Sequence, residues 1–351
     1  MMITLGVDAH KATHTIVAVD PNGKQLSTTT VQATPSGHLT VLRWASQFLS
    51  RCWAIEDCRP VTRRLEKDLL AVGETAVRVP PKLMAQARSS VRTCGKSDPI
   101  DALAIARAAL RHDDLPRARL DGNERICRLL TEQRNALVTE RTRLVNRLRW
   151  RLHELDPTLR PPVAAFNRTK HVTAIIRQAN GWSQSFDPIT ACQGHIAVTE
   201  LERISQLNNQ IVSYDRQIDP VVAAVCPQLL TIVGIGPITA AAIVGHIGNI
   251  DRFQTENKFA ALVGTAPIPV SSGNHHRMRL NPGGDRYLNS VIHRIAITQL
   301  AHHQPAKNLV TSAMTRGKSK KEAIRILKRH ITRAIYKTLQ HDQTHQQQAA
   351  A

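Results

Sequence analysis

Ile3-Thr-Leu-Gly6-Val-Asp8-Ala9, followed by His14-Thr-Ile-Val-Ala-Val-Asp20 and then by Asn22-Gly23, is the stretch that decides how this chain begins to fold. Two apolar runs of strand length, with an Asn-Gly turn signal before a third run at Gln25–Gln32, predict three antiparallel strands. A helix is expected over 36–49, opened by Ser36-Gly37, then a short buried strand over 52–57, a helix over 61–72 and a strand over 75–79. Pro80-Pro81 opens a further helix, and Ser97-Asp98-Pro99 caps another that runs through Ala102, Leu103, Ile105, Ala106 and Leu110. The order β-β-β-α-β-α-β-α, a mixed sheet flanked by helices, is the ribonuclease-H-like arrangement, expected over residues 1–115.

At 351 residues the chain has room for two domains and a connector. Its six cysteines form no CxxC pair and no metal-ligand spacing with the histidines, which predicts reduced thiols, no structural zinc and a cytoplasmic protein. No long apolar segment near the start predicts export or anchoring, so no membrane partner is expected. A formal net charge of +20 points to a polyanionic partner, and the spread of the basic residues along the chain favours nucleic acid and a nucleoid-associated location. Aromatic residues make up only 3%, too few for the stacking platforms that read single-stranded RNA, so backbone and shape contacts to duplexes fit better.

Between 116 and 222 the pattern becomes that of a helical, coiled-coil connector. Leu130, Leu137 and Leu144 stand seven apart, and Leu148, Leu152 and Leu155 continue the stripe. The polar face of this helix carries Arg141, Arg147 and Arg151 among other arginines, with few acidic residues on the same stretch, and these are read as nucleic-acid contacts. After a proline-rich break at 157–162 and an irregular stretch, Ile204, Leu207, Ile211, Tyr214 and Ile218 form a second stripe, expected to end at Asp219-Pro220. The two helices can pair with each other or with another copy of the chain. Residues 223–340 read as a mainly helical domain with an irregular glycine- and proline-rich segment at 264–284, and 341–351 as a disordered tail.

Two sets of residues can carry chemistry. Asp8 ends the first strand and Glu56 lies in the apolar run Trp53-Ala-Ile-Glu56, positions where a carboxylate is costly unless paired or bound to metal. Asp98 and Asp101 are three apart at the start of a helix and share one face. In a ribonuclease-H-like sheet these positions converge, and four hard oxygen donors can hold Mg²⁺ for phosphoryl transfer. The second set lies in Ser271-Ser272-Gly273, a serine before a glycine in a proline-framed loop, with Arg277, Arg279 and Arg286 behind it: an exposed hydroxyl for attack on a phosphate and cations for the developing charge. His275 and His276 are open to roles as proton shuttles or as loop and phosphate contacts. Gly234-Ile-Gly236 has the form of a helix-hairpin-helix turn that meets a DNA phosphate. Lys320, Lys321, Arg325, Lys328 and Arg329 lie on a basic helix expected to touch phosphates.

Together, Gly6-Val-Asp8-Ala-His10-Lys11, Lys96-Ser-Asp98-Pro-Ile-Asp101-Ala and the block Gly264-Thr-Ala-Pro267 with Ser271-Ser272-Gly273 and Gly283-Gly284 resemble the insertion-sequence transposases of the one-ten family, which includes the Piv/MooV type of DNA invertases. The resemblance spans nearly the whole chain and implies a RuvC-like N-terminal domain, a coiled coil and a C-terminal transposase domain. It implies that Asp8, Glu56, Asp98 and Asp101 hold Mg²⁺, and that Ser272, the serine directly before the glycine, forms a transient phosphoserine link to DNA. It also implies a structured guide RNA from the element itself, and a homodimer or homotetramer in which one subunit's acidic site meets another's serine. Two other readings of the residues stay open: a metal-dependent junction endonuclease in which water attacks, and a non-catalytic nucleic-acid-binding protein.

Overall fold

Every residue of β1 (Ile3–Ala9) is buried in the computed structural model, which requires a sheet covered on both faces. β1 pairs antiparallel with β2 (Thr13–Val19), and β2 antiparallel with β3 (Gln25–Gln32). On its other edge β1 pairs parallel with β4 (Arg51–Glu56), and β4 parallel with β5 (Ala76–Val79). The strand order β3-β2-β1-β4-β5 is ribonuclease-H-like, with the elements in the predicted sequence. The structure describes residues 1–84, 97–272, 275–279 and 281–350, without the side chains of 271–277 and 345–350, and the chain divides into two compact units, Met1–Asp121 and Gly122–Ala351. The helix expected after Pro80-Pro81 is present at 81–84, and its continuation lies outside the described residues.

The two faces of the sheet are filled differently. Leu5, Val7, Trp53 and Ile55 pack with Val41 of α1 (Pro35–Ala45) and with Leu65 and Leu69 of α2 (Arg59–Ala71). The opposite face is covered by α3 (Asp98–Leu110), whose Ala102 and Ala106 pack with Val17 and Val19, while Ala104, Ile105 and Ala108 pack with Ala54 and Val79. Small residues let this helix sit directly on the strand. A Cβ at Gly6 would lie 2.1 Å from the Ala102 carbonyl oxygen and 2.6 Å from the Ala106 nitrogen, so only glycine permits the approach.

In the second unit, α4 (Asn123–Leu155) and α6 (Pro188–Val225) form an antiparallel pair. Leu137, Leu144, Leu148 and Leu152 share one core with Leu201, Ile204, Leu207 and Ile211, so the two stripes cover each other within the chain. The stretch expected to be irregular after the proline-rich break contains α5 (Thr169–Ser183), whose Val172, Ile175 and Ala179 join that core at helical spacing. α6 does not stop at Asp219-Pro220. It passes through Pro220 to Val225, because Ile218 and Val222 on either side are fully buried in the next core, which outweighs one lost helical hydrogen bond. That core is built from α7 (Pro237–Ile247), α8 (Glu256–Val263), α9 (Arg286–His302), α10 (Gln304–Thr315) and α11 (Lys320–Ala350). α11 runs past His341, where fraying was expected, because Asp342 is buried and accepts a hydrogen bond from the Gln228 amide at 3.3 Å. The 264–284 segment, expected to be irregular, contains the antiparallel hairpin of β6 (Ile268–Ser272) and β7 (His275–Arg279).

Replacing Gly6 with Ala is expected to cost about 1–3 kcal/mol by overpacking, seen as a lowered melting temperature of the first unit. A second expectation concerns acid. His14 is fully enclosed and stacks on His38 at 5.4 Å, and burial, reinforced by His38, depresses its pKa to about 4. A histidine held below its unfolded value of about 6.5 favours folding above that pH, and the benefit disappears as pH falls toward the folded value. Stability should therefore drop by the order of 2 kcal/mol between pH 6.5 and 4, and His14→Gln should flatten that part of the melting-temperature profile. An unchanged slope in the variant would place the acid sensitivity elsewhere.

Candidate active site

Gly6 and Asp8 point to the same side of β1, two residues apart, and that side faces α3. The parallel pairing of Val7 with Ile55 puts Asp8 and Glu56 at matching positions at the ends of neighbouring strands. Glu56 shares its face with Ala54, which packs under α3. α3 begins with Asp98 and carries Asp101 in the same first turn, where the helix N-terminus favours negative charge. The first strand, the fourth strand and this helix thus bring the acidic residues to one end of the sheet. Asp8 and Asp101 are buried, Asp98 is exposed and Glu56 is half-buried.

His10 joins them. Its backbone amide donates to the Thr13 carbonyl at 2.8 Å, closing the β1–β2 turn, and its Nε2 lies 3.2 Å from Asp8 Oδ2 and 3.4 Å from Asp98 Oδ1. In the sequence His10 stands only within the Gly6-Val-Asp8-Ala-His10-Lys11 motif, with no role of its own. The available signal was its spacing of two from Asp8, which keeps both on one side of an extended chain.

This arrangement fits a divalent cation. One donor atom each from Asp8, His10 and Asp98 lie within 4.8 Å of one another. Asp8 Oδ2 is buried and accepts no well-aligned hydrogen bond among the described residues, an expense that a bound cation removes. Burial pushes the Asp8 carboxyl above its ordinary pKa; His10 opposes that rise, and the charges of Asp101 and Asp98 add to it. Carboxylate oxygens with one imidazole suit a hard or borderline metal.

The second predicted set lies on the β6–β7 hairpin. Ser272 pairs with His275, and Ser271 with His276, so the serines stand on a strand, whereas a loop was expected. The side chains of Ser272 and Arg277, and the whole of Gly273, lie outside the described residues. Arg279 is exposed on β7, and Arg286 is exposed at the first position of α9. The base of the hairpin is held by close backbone packing: a Cβ at Gly284 would lie 2.4 Å from the Gly264 nitrogen.

Several residues expected to touch nucleic acid are engaged within the protein. Arg147 Nε donates to Glu200 at 2.6 Å and Arg151 Nε at 3.5 Å, and Arg141 donates to Asn208 at 2.8 Å. Arg134 likewise pairs with Asp215. The acidic partners absent from the arginine helix are supplied by α6, out of view in a local reading. Gly234 packs against Ile295, with its Cβ position 3.2 Å from that residue's carbonyl oxygen, and so faces α9; Gly236 is exposed at the start of α7. On α11, Arg329 pairs with Glu256 at 2.7 Å, Arg325 lies 3.9 Å from Glu322, Lys320 and Lys321 are exposed, and Lys328 is buried.

Two family descriptions match the chain: "Transposase", the DEDD domain of this group, over residues 5–157, and "Transposase IS116/IS110/IS902 family" over residues 226–311. The chain is 26% identical to the insertion element IS116 uncharacterized 44.8 kDa protein of Streptomyces clavuligerus, over 78% of this chain and 79% of that protein. It is 23% identical to the insertion element IS900 uncharacterized 42 kDa protein of Mycobacterium paratuberculosis, over 95% and 94%. Among solved structures, that of T. thermophilus RuvC in complex with a Holliday junction substrate is 15% identical, and the match covers 34% of this chain and all of that one at a TM-score of 0.27. The chain thus carries, in order, the DEDD transposase domain, built on a ribonuclease-H-like sheet that gathers its acidic residues at one end, and the transposase domain of the IS116/IS110/IS902 family of insertion sequences.

Proposed function

We propose that this transposase cuts and rejoins DNA strands through a serine nucleophile, Ser272, assisted by Mg²⁺ at Asp8, Glu56, Asp98 and Asp101. The observation that carries the metal half of this reading is the buried Asp8 carboxylate, whose Oδ2 lies 3.2 Å from His10 Nε2, with Asp98 of the first turn of α3 offering a third donor within 4.8 Å. A cation held there supplies Lewis-acid polarisation of a phosphate oxygen. The protein's own residues hold and orient it: Asp8 and Glu56 from the strand ends, Asp98 and Asp101 from the helix start, and His10 closing the side next to Asp8 and Asp98.

In the strand-transfer step, Ser272 Oγ forms a bond to phosphorus as the bond from phosphorus to one ester oxygen of the DNA breaks. The serine gives up its proton as it attacks, and one proton passes in return to the departing ester oxygen, directly or through solvent, so that the strand end leaves as an alcohol. Arg277, Arg279 and Arg286 are the cations assigned to the added charge. Rejoining is the reverse attack by a strand-end hydroxyl on the phosphoserine, and because the ester bond energy is retained, no nucleotide is consumed. The excess of 47 lysines and arginines over 27 acidic residues supports a nucleic-acid partner. A structured guide RNA and a homodimer or homotetramer complete the reading, on the strength of the family resemblance.

Two measurements test it. With the metal chelated at pH 7, Asp8→Asn should raise the melting temperature by about 2 °C, since it removes a buried carboxylate whose ionisation burial opposes. Added Mg²⁺ should then stabilise the wild type and not the variant; equal stabilisation of both would remove Asp8 from the metal site. For the serine, incubation with DNA carrying the element ends should trap a protein–DNA adduct resistant to denaturation in the wild type and none in Ser272→Ala. Strand cutting by Ser272→Ala at the wild-type rate would establish water as the nucleophile.

A further inference from the structure

Lys328 is an anomaly in the second unit. Its residue is 7% exposed, and its Nζ donates to Asn289 Oδ1 at 2.6 Å, yet it meets no carboxylate within ion-pair distance among the described residues. A buried ammonium without a counter-charge is costly, and burial lowers its pKa. The surroundings keep it in place. Asn289 donates to the carbonyls of Val263 and Gly264 at 3.0 and 2.9 Å, and Thr332, one turn along α11, shares a hydrogen bond of 3.0 Å with Thr265.

Lys328 lines a cavity of about 320 Å³ bounded by residues 264–267, β7 and α11. Arg279, Lys318, Arg325 and Arg329 also line it, against one carboxylate, Glu322. That carboxylate is already occupied: it accepts from the Ser319 amide at 2.9 Å, capping α11. Arg329 is answered from outside by Glu256 at 2.7 Å. Arg279, Lys318 and Lys328 have no carboxylate within ion-pair distance among the described residues, so the cavity holds a surplus of positive charge, with one member buried. Such a site selects an anion with several acceptor oxygens.

We propose that this cavity seats a backbone phosphate of duplex DNA, with Lys328 at its base and Arg279 and Lys318 at its rim. The proposal rests on reading the β6–β7 hairpin as the strand-transfer element, since β7 contributes Arg279 to the cavity and β6 ends in Ser272. It adds a fixed phosphate subsite that holds the DNA beside that hairpin, independent of base sequence. Lys328 binds DNA directly in this scheme and takes no part in the bond-making step.

The test is the salt dependence of binding of the full-length protein to a duplex DNA of arbitrary sequence, by fluorescence anisotropy. Lys328→Met should weaken binding about tenfold at low salt and reduce the slope of log affinity against log salt by about one, with the melting temperature unchanged or raised because a buried charge has been removed. Lys328→Arg should restore the slope. An unchanged slope, or a loss of affinity accompanied by a lowered melting temperature with no change in slope, overturns the proposal and leaves Lys328 as a structural link to Asn289. A loss of slope with an RNA duplex and none with DNA also overturns it. The adduct assay keeps the two readings apart: an adduct with an unchanged Lys328→Met slope removes the phosphate subsite alone, whereas a reduced slope with no adduct in the wild type removes the serine reading alone.

Discussion

The seat of α3 on Gly6 is the contact on which the first unit's chemistry depends. With the Ala102 carbonyl oxygen 2.1 Å from where a side-chain carbon would be, the helix rests on the backbone of β1. The consequence is local and electrostatic. Asp98 and Asp101 in the first helical turn are carried over the end of the strand that bears Asp8, where their charges add to the rise in Asp8's proton affinity that burial begins. An unaided cluster of this kind opposes folding, a cost that the cation proposed above would offset. His10 is placed by the same geometry, because the turn that follows β1 must return to β2 within three residues.

The second unit solves a different electrostatic problem. A strongly basic chain must fold against its own repulsion before it can bind a polyanion. Here α6 supplies Glu200 and Asp215 to the arginines of α4, and Glu256 answers Arg329 and Arg333 of α11. These pairs draw the arginines along the helices into structural roles. Among the cations left without such a partner among the described residues are exposed Arg143 and Arg149 on α4, and Arg279, Lys318 and Lys328 around one cavity near the hairpin. The number of basic residues in a sequence thus overstates the number that can meet a phosphate.

Backbone contact recurs as a device. Gly264 and Gly284 touch at the base of the β6–β7 hairpin as Gly6 touches α3, and in both places the close approach fixes an element carrying proposed catalytic residues. The hairpin itself was hidden in the sequence by prolines and glycines at 264–284, which locally signal irregular chain, while the register of Ile268 with Arg279 through Ser272 with His275 is decided by pairing across the turn.

Alternation of apolar residues, turn signals and caps act over a few residues, so the order of strands and helices in the first unit and the positions of Asp8, Glu56, Asp98 and Asp101 on it could be read directly from the chain. The long helices were equally plain from their leucine and isoleucine stripes. Partnership was not. Arg147 with Glu200, Arg329 with Glu256, His10 between Asp8 and Asp98, and Lys328 enclosed without a counter-charge are relations among side chains, most of them tens of residues apart. Coulomb energy and burial depend on distance in space, which only packing establishes, so local patterning specified the elements while tertiary contact decided which of their charges were satisfied and which were left to act.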